Sequence, residues 1–463
     1  MLKTYSQDLS NLDERKLPDV IDLFSGCGGL ALGFYSLGFE IAAGIDIDAD
    51  AAMTASVNFH WQNGFDTSSH TQGNVRDFDM SCFLSTKKSN GYIVIGGPPC
   101  QAYSQAGRGK LRSLGNDRIH TNDTRGYLYK DLLEKALALD ARCVVVENVP
   151  ESINFGHLNI PEEICFELSQ NGYLARWSIL NAADYGVPQF RERVIVIAWK
   201  ESERIFPEFP IPTHRSGNYI IPTKKKNKKL KLSSYYIESP EASNSAEAWL
   251  NVKDAISDLP SLFKTSGSKY RLIDNDVLLD YRTDPQNEYQ KLMRNWPNLR
   301  SHSNVTGHGF RKTIRDFPIF ECMMPGDNFV EASIIADQLF DKKLAEEGIT
   351  YENNLERYNY LKKITVPPYD RDKFHDKWRK LDPNRPSHTL VAHLGIDTYS
   401  HIHPWEPRGI SIREAARLQS FPDSFIFPGN MGAAFKQIGN AVPPLLSRAI
   451  ALKIAEQIKE RDK

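Results

Sequence analysis

Short apolar runs alternate with helix-like stretches over the first 200 residues of this chain. Runs at 20–24, 40–46, 92–96, 143–149, 177–180 and 194–199 are mostly continuous in apolar character, the pattern of strands covered on both faces. Between them, 49–59 and 127–139 space their apolar residues at helical intervals. Strand–helix alternation of this kind predicts an α/β fold built as a doubly wound parallel sheet. After Trp199 the texture changes. Pro207, Pro210, Pro212 and Pro222 interrupt the chain, and KKKNKKLK occupies 224–231. Residues 240–400 carry many Asn, Ser, Pro and Tyr with only short periodic segments. That predicts a second, smaller, loop-rich domain over 201–405. Helical periodicity returns at 411–419 and 444–459, so 406–463 is expected to return to the first domain, 1–200, and complete it.

Composition narrows the class. Of 463 residues, 41% are hydrophobic and 25% charged, which excludes a disordered or disulfide-scaffold chain and leaves enough apolar mass for a sizeable core. No run of about 18 apolar residues suggests a membrane span, and the N-terminal stretch lacks the apolar core of a signal peptide. A cytoplasmic, monomeric protein is expected, nucleoid-associated if prokaryotic. The net charge of −1 hides little asymmetry: 201–405 hold 30 Lys+Arg against 28 Asp+Glu, the remainder 27 against 30. A nucleic-acid partner is therefore permitted by charge but not demanded. The six cysteines form no CxxC pair and lie beside no metal-spaced histidines, so neither zinc nor a disulfide framework is expected.

Four segments carry chemistry. Asp22-Leu-Phe-Ser-Gly-Cys-Gly-Gly-Leu30 follows the first strand, and its glycines permit a tight turn that a ligand can approach closely. Asp46 ends the next strand, where a ribose hydroxyl would be bound. Such a turn fits NAD, FAD or an adenosyl ligand about equally, or is only a turn. Gly96-Gly-Pro-Pro-Cys-Gln-Ala-Tyr-Ser-Gln105 places Cys100 at the C-terminal mouth of a buried strand, on a proline-stiffened approach. Glu147-Asn-Val-Pro150 sets a carboxylate at another strand end, costly without a task or a partner. Gln189-Phe-Arg-Glu-Arg193 opens the last strand; alternation puts Gln189, Arg191 and Arg193 on one face, though arginines there equally suit surface ion pairs.

Together with Asn181-Ala-Ala-Asp-Tyr-Gly-Val-Pro188, Arg413-Glu-Ala-Ala-Arg-Leu-Gln-Ser-Phe-Pro-Asp423 and Gly439-Asn-Ala-Val-Pro-Pro444, these segments resemble the DNA (cytosine-5)-methyltransferases, in family order, over 20–199 and 385–444. The resemblance implies a Rossmann-like domain with a mixed, mostly parallel sheet and a target-recognition domain over 201–405. It implies that the Cys100 thiolate adds to carbon 6 of a flipped-out cytosine. Glu147 would hydrogen-bond ring nitrogen 3, and Arg193, with Arg191, would bind the exocyclic oxygen. The methyl donor would be S-adenosylmethionine, held by Phe24, Gly26, Gly28, Asp46, Ile47, Asn74, Pro99 and Asn440, with no metal. Position 74 is usually Asp in the family; an amide oxygen there can still accept from the adenine amine.

Double-stranded DNA is the implied partner, with Gln101, Ser104, Arg108, Arg311 and Thr389 as expected contacts. The glycine- and arginine-bearing stretch 102–122 is the expected closing loop. A cognate restriction endonuclease acting on the same site is the implied companion. Two rivals remain. Transfer RNA as substrate is disfavoured because the Cys-Phe-Thr tripeptide of that branch is absent. A catalytically silent regulator is disfavoured because Cys100, Glu147 and Arg193 are all present.

Overall fold

The computed structural model describes residues 17–85, 90–99, 127–155, 158–217, 233–262, 277–313, 315–368 and 377–462. Cys100, Gln101, Ser104, Arg108, the stretch 102–122 and the basic run at 224–231 lie outside them.

Seven strands form one sheet: β1 (Asp19–Leu23), β2 (Ile41–Asp46), β3 (His70–Gln72), β4 (Tyr92–Gly96), β5 (Cys143–Asn148), β6 (Tyr173–Asn181) and β7 (Glu192–Lys200). Their order is β3-β2-β1-β4-β5-β7-β6. Neighbours from β3 to β5 run parallel, and β7 runs antiparallel to both β5 and β6. The sheet is therefore mixed and mostly parallel, as expected from the sequence, with β7 the one reversed strand.

The continuous apolar runs have a direct cause. Successive residues point to opposite faces, and both faces are roofed. Val20, Ile93, Ile95, Val145, Ile195 and Ile197 enter one core, while Ile21, Leu23, Val94, Val144, Val146 and Val196 enter another. Helices α1 (Gly29–Tyr35), α2 (Ala49–Phe59) and α9 (Pro444–Arg461) supply apolar residues to the first core; α3 (Leu128–Ala138) and α4 (Ile160–Gln170) supply the second. A Cβ on Gly33 would lie 2.3 Å from the Arg448 backbone nitrogen, so α1 and α9 cross at backbone contact and the end of the chain locks onto its beginning.

The region 201–405 divides between two cores. Val252, Ile256, Tyr289, Leu292, Met293 and Trp296 join the first core alongside the return segment. A separate core gathers Phe310, Phe317, Phe320, Trp378, Tyr399 and Ile402. Packed on it is α5 (Phe329–Glu347), followed by α6 (Leu355–Thr365). These two helices depart from the loop-rich expectation. α5 buries only Phe329, Ala332, Ala336 and Phe340, a narrow stripe half made of alanine, and its hydrophobic period is correspondingly faint. Its ends are nonetheless marked, by a capping box between Asn328 and Glu331 and by Gly348 at φ +64°. Among the described residues no helix is long and apolar enough to cross a membrane.

Candidate active site

The C-terminal ends of β1, β2, β4 and β5 open on one edge of the sheet, and the reversed β7 brings its N-terminal end to the same edge beside β5, with Asn148 opposite Val194. Ligands of open α/β sheets bind at this edge, near the point where strand order reverses.

At β1 the chain turns sharply through Phe24 (φ +61°), Gly26 (φ +55°) and Gly28 (φ +89°) into α1. A side chain on Gly28 would sit 2.4 Å from the Phe59 ring, whereas nothing lies within 4 Å of a Cβ on Gly26. The turn is thus closed behind and open in front. Asp46 at the end of β2 fixes it: the Gly26 and Asp48 amides each donate to one of its carboxylate oxygens at 2.8 Å. Burial raises the Asp46 carboxyl above its usual range, opposed by those two amides, and raises Asp22 well above it, with the Asp46 charge adding to the effect. Phe24 is half-buried against the second core, and Ile47, beside Asp46, is 73% exposed. An exposed apolar side chain and a half-buried carboxylate therefore stand side by side at the end of β2.

This donor set fits an adenosyl cofactor carrying positive charge. Ser25 Oγ in the turn and both polar atoms of the buried Gln437 side chain have no hydrogen-bond partner among the described residues, and the space over Gly26 admits a ligand. Asn440, on the same helix as Gln437, α8 (Met431–Asn440), is exposed. Asn74 Oδ1 accepts from the Arg76 amide at 3.2 Å, leaving its other lone pair free to accept from a ligand.

The second half of the site lies between β4, β5 and β7. A Cβ on Gly96 would come 2.2 Å from the Leu23 carbonyl oxygen, so β4 must end in glycine to pass β1. A Cβ on Gly97 would lie 3.1 Å from Glu147 Oε2, and Asn148 Nδ2 donates to the Pro98 carbonyl at 3.4 Å. Gly97, Pro98 and the half-buried Pro99 thus run directly over the end of β5 and deliver the chain to position 100. Alternation puts Glu147, Ile195 and Arg193 on one face, and Arg193 Nε pairs with Glu147 Oε1 at 2.7 Å, both side chains nearly buried. Sequence reasoning named both residues, but not that they contact each other.

Other expected residues lie elsewhere. Arg191, expected beside Arg193, precedes β7, and its Nη1 donates to the Leu390 carbonyl at 2.7 Å. Its Nη2 donates to the Gly439 and Ala441 carbonyls at 3.0 and 3.1 Å. Strand alternation governs only residues from Glu192 onward, which is why the two arginines part. Arg311, expected at DNA, donates to the Leu394 and Gly395 carbonyls, its guanidinium near the Phe435 ring. Thr389 Oγ1 donates to the Phe190 carbonyl at 2.8 Å, leaving it only as an acceptor toward other groups.

Sequence reasoning missed the charges buried beneath this edge. Helix α7 (Ile412–Leu418) is buried at every residue. Its Glu414 receives a fork from Arg408 at 2.7 and 2.8 Å, and its Arg417 forks onto Asp423 at 2.6 Å. The capping-box spacing of Ser411 and Glu414 was a visible signal of the helix; the ion pairs span separations that spacing alone cannot reveal.

The family model for the C-5 cytosine-specific DNA methylases matches residues 19–456. The chain belongs to that family. It is a DNA (cytosine-5)-methyltransferase by that membership, as the motifs predicted. The protein M.OihORF3336P of Oceanobacillus iheyensis is 49% identical over 451 residues, covering 96% of this chain and 97% of its own. The type II methyltransferase M.AgeI of Thalassovita gelatinovora is 31% identical over 462 residues, covering 94% and 99%. A crystal structure of a protein encoded within an E. coli prophage superposes with a TM-score of 0.62 at 22% identity, over 96% of this chain and 99% of that one, and shares the fold.

Proposed function

We propose that this methyltransferase transfers a methyl group from S-adenosylmethionine to carbon 5 of a cytosine extruded from double-stranded DNA, through a covalent adduct at Cys100. The observation that carries the reading is the Glu147–Arg193 pair at 2.7 Å, over which Gly97–Pro99 lead the chain to Cys100. Cytosine carbon 5 is a poor nucleophile until ring conjugation is broken. The Cys100 thiolate adds to carbon 6 and pushes electron density toward nitrogen 3 and the exocyclic oxygen. Nitrogen 3 takes a proton from the Glu147 carboxyl and the oxygen accepts from Arg193, two groups held to each other before substrate arrives. Carbon 5 then takes the methyl group, a base removes its proton, and the thiolate leaves by elimination.

Three other cysteines suit this role poorly. Burial pushes the Cys27 thiol up to about 12 and also raises those of Cys143 and Cys165 well above their usual range, so none forms the reactive thiolate readily. Extruding the base costs on the order of a few kcal/mol, which closure of the glycine- and arginine-bearing stretch 102–122 and DNA contacts from Gln101, Ser104 and Arg108 would offset.

The cofactor would lie across the turn, with Phe24 and Ile47 on the adenine, Asp46 on the ribose, Asn74 at the adenine edge, backbone at Gly26 and Gly28 by the methionine end, and Pro99 and Asn440 closing the pocket. It supplies an electrophilic methyl on a sulfonium. Because Asp46 also holds the turn through two amides, Asp46→Ala is expected to weaken S-adenosylhomocysteine binding by roughly 10- to 100-fold, the cost of losing a charged hydrogen-bonding group. Calorimetric titration measures it, and Asp46→Asn should lose less.

A type II restriction–modification setting, with a cognate endonuclease acting on the same site, is the role that the relatives support, and a cytoplasmic monomer is its simplest form. The deciding experiment uses a duplex oligonucleotide bearing 5-fluorocytosine at the target, identified beforehand by bisulfite sequencing of plasmid from expressing cells. Fluorine cannot leave as a proton does, so protein, DNA and methyl donor should yield a linkage to Cys100 that survives denaturation. Absence of that linkage in active protein overturns the covalent route.

A further inference from the structure

Arg191 is one of three buried side chains that tie two distant segments to the entry of β7. Gln189 Nε2 donates to the Leu418 carbonyl at 3.1 Å and to Gln419 Oε1 at 2.5 Å, while its Oε1 accepts from the Leu390 amide at 2.9 Å. Gln419 Nε2 donates to the Ile438 and Ala441 carbonyls at 3.0 and 2.7 Å. Arg191 joins the Leu390 carbonyl to those of Gly439 and Ala441. The amide and carbonyl of Leu390, next to Thr389, and the carbonyls on either side of Asn440 therefore hang on the same three side chains. The two segments also touch directly: a Cβ on Gly439 would lie 2.3 Å from the Val391 carbonyl carbon, so neither can shift without the other. Around Thr389 the backbone is stitched on as well, the Ser387 amide donating to Pro188 at 3.0 Å and the Phe190 amide to Ser387 at 2.8 Å.

We propose that Arg191, with Gln189 and Gln419, is a positioning clamp that makes cofactor binding at Asn440 and DNA binding at the Thr389 segment mutually reinforcing. The inference rests on the reading above, in which Asn440 faces the cofactor and Thr389 the DNA. Buried polar networks of this kind have few alternative arrangements, because each unpaired group costs free energy. Ordering one segment by ligand thus pre-orders the other, and the coupling is reciprocal. Arg191 acts here through backbone carbonyls, which separates its role from that of Arg193.

The test measures S-adenosylhomocysteine affinity of the full chain with and without a duplex carrying the methylated word. Wild type should bind it about 10-fold more tightly with DNA, within the usual range of coupling between sites. Arg191→Lys, which keeps the charge but loses the fork, should bring that ratio to within about 3-fold of unity. KM should rise for both substrates, with the pH profile of kcat and the yield of 5-fluorocytosine trapping retained. Gln419→Met, which leaves Arg191 untouched, should act in the same direction and serves if Arg191→Lys fails to fold. A wild-type ratio of one overturns the proposal, as does equal weakening by both variants with and without DNA. Loss of trapping at unchanged coupling assigns Arg191 to the chemistry instead and also overturns it. Failure of wild type to trap at all is a failure of the covalent reading, and is distinguishable because the affinity ratio is measured without turnover.

Discussion

Cys100→Ser is expected to remove methyl transfer almost completely, with turnover falling by on the order of 10⁴-fold or more, as when the nucleophile of a group that acts as a unit is lost. A serine hydroxyl ionises far above neutral pH, whereas a cysteine thiol reaches its reactive thiolate far more readily. The variant should still bind S-adenosylhomocysteine like wild type, because the turn at Gly26 and Gly28 is built at the end of β1 and anchored by Asp46 at the end of β2. Initial rates with tritiated donor, set beside calorimetric titration, separate the two effects. Glu147→Gln tests the same site one step further out. It keeps the shape but ends the ion pair with Arg193, and a loss of roughly 10²- to 10³-fold in kcat is expected for one misplaced stabilising group. Cys100→Ser with wild-type turnover would leave the Glu147–Arg193 pair without the reaction assigned to it.

Those residues were legible because they sit where strands end, and strand ends are the most readable feature of an α/β chain. β1, β2, β4, β5 and β7 each fall within two residues of the expected runs, since strands roofed on both faces must be continuously apolar. β3 was not visible: three residues, His70, Thr71 and Gln72, mostly polar and at the sheet edge, carry no periodic signal. β6 extends four residues before its expected start because its first half alternates buried and half-buried positions, a weaker pattern. The adenosyl turn was readable from its glycines, but Gly26 and Gly28 act for opposite reasons, one leaving space and the other avoiding Phe59. No spacing rule separates those. Least legible were contacts across more than two hundred residues, such as Gln189 with Gln419 or Arg191 with Gly439. Polar residues in a sequence read as surface until the fold shows what buries them, and Arg191 was accordingly grouped with Arg193 by local alternation.

The same blindness hid the residue whose loss should cost most stability. Arg417 is fully buried on α7 and meets two carboxylates, Asp423 through a fork at 2.6 Å and Asp258 at 3.2 Å. It also donates to the Ala255 carbonyl at 2.8 Å, so it pins the return segment to residues 252–262. Arg417→Ala is expected to destabilise the protein by about 3–5 kcal/mol, the usual cost of stripping one partner from a buried pair. Against a total of roughly 5–15 kcal/mol for a folded protein, this is enough to deplete soluble protein in cells. The two carboxylates should not share that cost equally. Asp258 keeps Arg294 at 2.6 Å, whereas among the described residues Asp423 keeps only the Tyr281 hydroxyl, at 2.6 Å, as a side-chain donor. The penalty therefore falls on Asp423. Arg417→Met combined with Asp423→Leu, which removes both members of the fork, should recover a large part of the loss seen in Arg417→Met alone. Urea denaturation of the three proteins measures the difference. A double variant no more stable than the single would mean that the cavity, and not the stranded carboxylate, carries the cost.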